Sequence, residues 1–236
     1  MTIKRRTHRR SGNAVFEVAE ILDWKPSLIV QVGVGSHAHE TEVFAEEWPD
    51  VPLVGFEPNP DSFEQIKKRY PGTLIQKAVG RSERNVSFYS KKGHDNGSSL
   101  LRVGKDKSKL TKHSVEMTML DALNKSRGFG HNGKDILLWL DCEGTELAVL
   151  IGAKGYFLNQ VQMINVEMTG NPSDEGWCSP LDVNKLLRLY GFYLTWVHTI
   201  RTKIGQYDAV YVRGDIFNPN ICCCPTEIER WKKEHE

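Results

Sequence analysis

Three short clusters in this chain carry residue types that can do chemistry. The first is VQVGVGSHA, where Gly33, Gly35 and Ala38 fit a G-x-G-x-x-G/A pattern with Val34 between the glycines and Gln31 just before them. Glycine has no Cβ, so the backbone there can turn tightly and let a nucleotide approach the main chain. The second is Glu57, 22 positions after Gly35 and followed by Pro58 and Asn59. A carboxylate at that separation from a glycine loop is placed to accept the hydroxyl protons of an adenosine ribose. The third is Asp141-Cys142-Glu143-Gly144-Thr145-Glu146, with Glu167 further along. Hydride transfer makes no special demand for acids at such a place. A sulfonium methyl donor does, because it is cationic and the acceptor hydroxyl must give up a proton as the methyl leaves sulfur. Acids capping a following helix account for Glu146 better than for Asp141.

The elements around these clusters are legible from periodicity. Ala14, Val15, Val18, Ala19 and Leu22 share one helical face, and Pro26 ends that helix. Leu28–Val32 is an apolar strand opening into the glycine loop, and a helix over about 39–48 follows. Pro52–Glu57 is a second strand. Asn59 caps the next helix, with Pro60 at its first position and Phe63, Ile66 and Tyr70 on one side. Thr73–Val79 reads as one third strand, and Asn85–Ser90 alternates as a fourth. Residues 91–112, rich in Gly, Ser, Asn and Lys, read as a long loop.

Ile136–Leu140 restarts the strand pattern and delivers Asp141, and a helix running through Leu158 is expected next. Val161–Met168 is a strand. Ser179-Pro180-Leu181-Asp182 starts a helix that Gly191 ends, and Phe192–Ile200 and Tyr207–Arg213 form a closing hairpin. The alternation predicts an α/β fold. Its sheet is mostly parallel, with helices on both faces and a C-terminal antiparallel hairpin. Ligands in such sheets bind outside the carboxyl ends of the strands, where all three clusters fall.

Composition narrows the class. With 236 residues, 31 basic and 30 acidic, the chain has a formal net charge of +1, so it is not an electrostatic nucleic-acid binder as a whole. Lys4, Arg5, Arg6, Arg9 and Arg10 fall within the first ten residues, leaving a net −4 for the rest. Residues 1–12 read as a flexible basic arm, the one part suited to nucleic acid, and residues 13–236 as a single domain. No apolar stretch is long enough to span a membrane. Five cysteines, Cys142, Cys178 and the run Cys222–Cys224, form no C-x-x-C pair. No metal site is therefore expected, and the thiols fit a reduced, cytoplasmic protein.

The order of VQVGVGSHA, GFEPNP, IQKAVG, GSSL, LWLDCEGTELAVLIGA and NVEM resembles FkbM-type S-adenosylmethionine-dependent methyltransferases over roughly residues 28–213. The resemblance implies a Rossmann-like methyltransferase fold with a mostly parallel seven-stranded sheet, and S-adenosylmethionine as cofactor. Gln31, Gly33, Val34 and Gly35 would stand at its methionine part, Glu57, Pro58 and Asn59 at the ribose, and Lys77, Ala78 and Val79 along the adenine. Asp141, Glu143 and Gly144 would stand at the junction with the acceptor. Ser98 and Ser99, with His37, would meet substrate. The acceptor implied is a hydroxyl of a sugar or other small metabolite. Two departures stand out: Gln31 replaces an acid, and Ser36-His37-Ala38 replaces an Asn-x-Gly pattern.

Methyl transfer is an in-line displacement, so the protein must align the acceptor oxygen and accept its proton. Asp141 is the first candidate for that proton, with Glu167 and Glu143 behind it, and His113, His131 and His198 are fallback bases. Trp177, Trp196 and Tyr193 could stack on a sugar or base. Two other readings use the same residues: an NAD(P)-binding oxidoreductase, and a non-catalytic nucleotide- or nucleic-acid-associated binding protein.

Overall fold

The computed structural model describes residues 13–91, 94–102, 106–122, 135–170, 176–201 and 205–216. The basic arm, His131 and Cys222–Cys224 lie outside them. Strands follow in the order β1 (Leu28–Val32), β2 (Leu53–Phe56), β3 (Thr73–Ile75), β4 (Ala78–Val79), β5 (Arg84–Lys91), β6 (His94–Ser99), β7 (Leu110–Thr118), β8 (Ile136–Leu140), β9 (Val161–Thr169), β10 (Phe192–Arg201) and β11 (Gln206–Arg213). Helices α1 (Asn13–Ile21), α2 (His39–Glu47), α3 (Pro60–Ile66), α4 (Glu146–Ile151) and α5 (Pro180–Leu189) lie among them.

The main sheet has seven strands in the order β10-β11-β9-β8-β1-β2-β3. Pairs β3 to β2, β2 to β1, β1 to β8 and β8 to β9 are parallel. β11 is antiparallel to both β9 and β10. Both faces are covered, which explains why β1 and β8 are apolar almost throughout and fully buried. On one face Val15 and Val18 of α1, Phe44 of α2 and Ile66 of α3 pack on Ile29, Leu137, Trp139 and Met163. On the other, Val149 and Leu150 of α4 and Val183 and Leu187 of α5 pack on Val30, Leu138 and Ile164. At α3 the expected cap is present: Asn59 Oδ1 accepts from Asp61 N at 3.2 Å, with Pro60 in the first turn.

Four expectations need correction. Thr73–Val79 is not one strand. It leaves the main sheet after Ile75, whose carbonyl accepts from both Glu57 N and Lys77 N, and Ala78–Val79 joins a second sheet of order β4-β7-β5-β6. The Asn85–Ser90 pattern is a strand, but of that second sheet. Residues 91–112 are not a continuous loop. HDNGSS forms β6 and LTKHSVEMT forms β7, held by antiparallel pairing with β5. HDNGSS has no hydrophobic alternation, so only its pairing with β5 reveals that strand. The helix after Thr145 stops at Ile151. At Gly152 a Cβ would meet the carbonyl oxygen of Gly80 at 2.0 Å, and a separate 3-10 turn, Phe157–Gln160, leads into β9. No helix among the described residues is long and apolar enough to cross a membrane.

Candidate active site

The carboxyl ends of β1, β2, β8 and β9 bring the three clusters together. Gly33 has φ +86, and a Cβ there would lie 1.7 Å from the carbonyl oxygen of Asp141. Asp141 N in turn donates to Val32 O at 3.0 Å. The glycine loop and the acidic loop are thus in direct backbone contact, which only glycine allows. Gly35 has φ +66 and open space where a Cβ would project. Its N–H donates to Glu57 Oε2 at 2.7 Å, while Glu57 Oε1 accepts from Asn59 N at 2.8 Å. Glu57 is buried, and these backbone bonds fix its carboxylate beside the open space. A carboxylate has about four lone-pair sites, so two such bonds orient it without exhausting it.

Gln31 is fully buried; its Oε1 accepts from Thr41 Oγ1 at 2.7 Å, tying β1 to α2. Val34 is buried, and Pro58 is half-buried. Asn59 serves both Glu57 and the α3 cap. Lys77 forms an ion pair with Glu116 at 2.7 Å. Ala78 and Val79 are buried in β4. His37 is exposed and stacks on His39 with ring centroids 5.4 Å apart.

On the acidic side, Asp141, Glu143 and Glu167 are half-buried, and each offers a carboxylate oxygen within 4.8 Å of the others. Glu167 faces Asp208 across the β9–β11 ladder, and Asp208 faces His198 across β11–β10. Burial holds the Asp141 carboxyl well above the usual carboxylate range, reinforced by the like charges of Glu167, Glu143, Glu40 and Asp208. Glu167 is pushed up to about 8 by burial and then by Glu143 and Asp208, with Gln206 donating to it in opposition. Asp208 is raised to about 6 by burial, offset in part by Asn165 Nδ2, which donates to Asp208 Oδ1 at 3.3 Å, and by His198. Carboxyls in this arrangement favour a shared proton or a nearby cation. Their spacing would also suit a hard divalent ion with oxygen ligands.

Glu146 is the residue that sequence reasoning undervalued. It is buried, and its Oε1 accepts from Cys142 N at 3.2 Å and Gly144 N at 3.0 Å, while Oε2 accepts from Cys178 Sγ at 3.1 Å. These bonds hold Glu143 at φ 52 and Gly144 at φ +97. Its place five residues after Asp141, at the start of a helix, reads as a capping acid, and only the fold shows that it braces the loop instead. Asp208 and Asn165 were also missed, because Asp208 sits within an otherwise apolar strand and Asn165 takes its meaning from that cross-strand partner.

The second sheet closes this side. Ser99 Oγ donates to the carbonyl of Glu143 at 2.8 Å and accepts from Leu101 N at 3.1 Å. Ser98 Oγ is shielded without a hydrogen-bond partner among the described residues, as is Trp177 Nε1. The Trp177 ring lies on Gly144, where a Cβ would come within 2.7 Å of Cδ2. Trp177 is thus a wall of the acidic loop. His113 Nε2 and Ser90 Oγ are 2.8 Å apart within the second sheet, and His198 is exposed. Tyr193 packs against Arg188, 4.6 Å from its ring centroid, and Trp196 packs at the edge of the core that covers α1 and α2.

A seven-stranded sheet with this strand order, a glycine loop after β1 and acids after β2 and β8 define the methyltransferase fold. The chain belongs to the FkbM methyltransferase family, whose domain model, described as "Methyltransferase FkbM domain", matches residues 31–194. S-adenosylmethionine is the cofactor of this class, and the open cradle at Gly35 beside Glu57 fits it. Among solved structures the chain is similar to a methyltransferase FkbM from Methylobacillus flagellatus KT. Identity is 12% and the TM-score 0.50, over 79% of this chain and 43% of that one. The chain therefore spans less than half the length of that relative. It is also similar to magnesium protoporphyrin IX methyltransferase (ChlM) from Synechocystis PCC 6803 with bound SAM. Identity there is 11% and the TM-score 0.45, over 85% of this chain and 78% of that one. No curated protein matches the sequence.

Proposed function

We propose that the protein methylates a hydroxyl oxygen of a sugar or similar small metabolite, with Asp141 taking the proton. One observation carries the reading. Asp141, Glu143 and Glu167 crowd within 4.8 Å of one another where the acidic loop touches the glycine loop. A carboxylate made more basic by burial and like charges is a better proton acceptor than an ordinary one.

When bound, S-adenosylmethionine supplies a methyl group activated on a sulfonium. In this reading Gly33, Val34 and Gly35 line its methionine end, with Gln31 bracing that loop from behind. Glu57 accepts from the ribose hydroxyls, and Pro58, Asn59, Lys77, Ala78 and Val79 border the ribose and adenine. Asp141 would accept the proton of the acceptor hydroxyl as that oxygen takes the methyl group the cofactor supplies. Glu167 and Glu143 keep that carboxylate basic. Glu146 holds the loop in place, and Gly144 lets Trp177 close over it. Ser98, whose hydroxyl lacks a partner among the described residues, and the exposed His37 are the candidates for contacts to acceptor polar groups. Ser99 acts through the Glu143 carbonyl.

The test is a panel of hydroxylated sugars and small metabolites assayed for S-adenosylhomocysteine release, with and without EDTA. Turnover that persists in EDTA and is lost in Asp141→Asn supports proton acceptance by the carboxylate. Turnover abolished by EDTA and restored by magnesium supports a divalent ion at the same three acids. Methylation confined to amines would refute the hydroxyl assignment.

A further inference from the structure

The loop Gly33–Ala38 contains three residues in the left-handed region: Gly33 at φ +86, Gly35 at φ +66 and Ala38 at φ 52. Two are glycines and tolerate it. Ala38 does not, and it stands at the N-cap of α2 with no side-chain cap to stabilise it. Such a conformation persists only when its surroundings hold it. From inside, Gly35 N is held by Glu57, and Thr41 is held by Gln31. From outside, the hold comes from Arg69. Its Nη2 donates to the carbonyls of Ser36 at 2.5 Å and His37 at 3.0 Å, and its Nη1 reaches Glu42 Oε1 of α2 at 3.4 Å.

Arg69 is itself well anchored. It lies in the turn after α3, where Arg69 N and Tyr70 N both donate to Ile66 O at 2.9 Å. Ile66 is fully buried. Tyr70 is wedged over Gly55, where a Cβ would lie 2.4 Å from its hydroxyl. The guanidinium therefore projects from a fixed base, with Nη2 on two consecutive loop carbonyls and Nη1 on Glu42 of α2, a span over two nitrogens that a single lysine ammonium cannot cover.

We infer that Arg69 is a positioning residue for the cofactor. By holding the Ser36 and His37 carbonyls outward, it maintains the strained glycine loop in the shape that presents Gly35 to Glu57 and leaves the cradle open. It acts through the loop and has no role in proton transfer. The inference rests on the cofactor class alone, so it stands or falls separately from the hydroxyl-acceptor reading.

The experiment is calorimetric titration of the full chain with S-adenosylhomocysteine, alongside thermal unfolding. Arg69→Met keeps the apolar stem and removes the fork; affinity should fall about tenfold, equivalent to roughly 1.4 kcal/mol. Arg69→Lys should fall between wild type and Arg69→Met. Adding Ala38→Gly to Arg69→Met relaxes the left-handed strain and should recover part of the affinity, and the thermal unfolding curves of both variants separate that recovery from a change in global stability. Where Arg69→Met does not fold, Arg69→Lys is read by hydrogen exchange at the Gly35 amide, which should be faster than in wild type without ligand. Wild-type affinity in Arg69→Met, no recovery on adding Ala38→Gly, or unchanged Gly35 exchange in Arg69→Lys would each overturn the inference.

Discussion

The acid after β2 and the acids at the carboxyl ends of β8 and β9 stand on one edge of one sheet, yet the chain treats them in opposite ways. Glu57 is enclosed by backbone donors from Gly35 and Asn59, so its negative charge has fixed hydrogen-bonding partners. Asp141 and Glu167 are set among other carboxyls, and burial with like charge raises both. A carboxylate held by N–H groups is fixed in orientation and suited to grip hydroxyls. One crowded by other acids is built to accept a proton or a positive charge. In the proposed reading this division separates cofactor holding from proton acceptance along a single edge, with the Gly33–Asp141 backbone contact as the seam.

Breaking the seam should have the largest effect. Gly33→Ala places a Cβ 1.7 Å from the Asp141 carbonyl at a positive φ, which backbone movement alone can relieve. We expect destabilisation on the order of 3 kcal/mol or more and loss of S-adenosylhomocysteine binding, read by thermal unfolding and calorimetry. Asp141→Asn addresses the chemical half alone. Turnover should fall about 10²–10⁴-fold, the usual worth of a positioned proton acceptor, while the melting temperature stays level or rises because a crowded charge is removed. Glu57→Ala addresses the holding half. It strips a partner from Gly35 N and Asn59 N, and the charge-assisted bonds lost should cost roughly 1.5–3 kcal/mol of cofactor affinity.

How much of this was legible beforehand differs between the two halves. The main sheet, its hairpin and the glycine loop follow from apolar runs with turn residues between them, and Asn59-Pro60 announces its helix by capping chemistry alone. Glu57 was visible because its spacing from Gly35 fits a βαβ unit. The second sheet was not. β6 has no apolar face, and the break after Ile75 depends on a carbonyl that accepts both from nearby Lys77 N and from distant Glu57 N, a relationship no local pattern encodes. On the acidic side Asp141 and Glu143 were visible as a cluster. The contributions of Asp208 and Asn165 arise only from cross-strand register, and Glu146 faces inward where its sequence position suggests a cap. Local residue types reveal which groups exist; register determines which charges must share a space.

Titration sharpens the comparison with a smaller effect. Glu167 and Asp208 have folded-state values raised to about 8 and about 6, above those of unfolded carboxyls. The folded state therefore binds more protons between the unfolded values near 4 and these folded ones. Stability of the cofactor-free protein should fall as pH rises through about 4 to 8. Glu167→Gln should flatten the upper part of that fall. Denaturant midpoints across pH measure this, and a rise in stability over the same window would contradict the assignment of raised carboxyls. Turnover should increase with pH as the raised Asp141 carboxyl ionises and becomes available to take a proton.

The most direct measurement is a side-by-side calorimetric titration of wild type, Glu57→Ala and Asp141→Asn with S-adenosylhomocysteine, which carries no sulfonium charge. The division of labour predicts that Glu57→Ala loses at least tenfold in affinity while Asp141→Asn stays within a few-fold of wild type. Equal binding by wild type and Glu57→Ala, or a larger loss in Asp141→Asn than in Glu57→Ala, would contradict it.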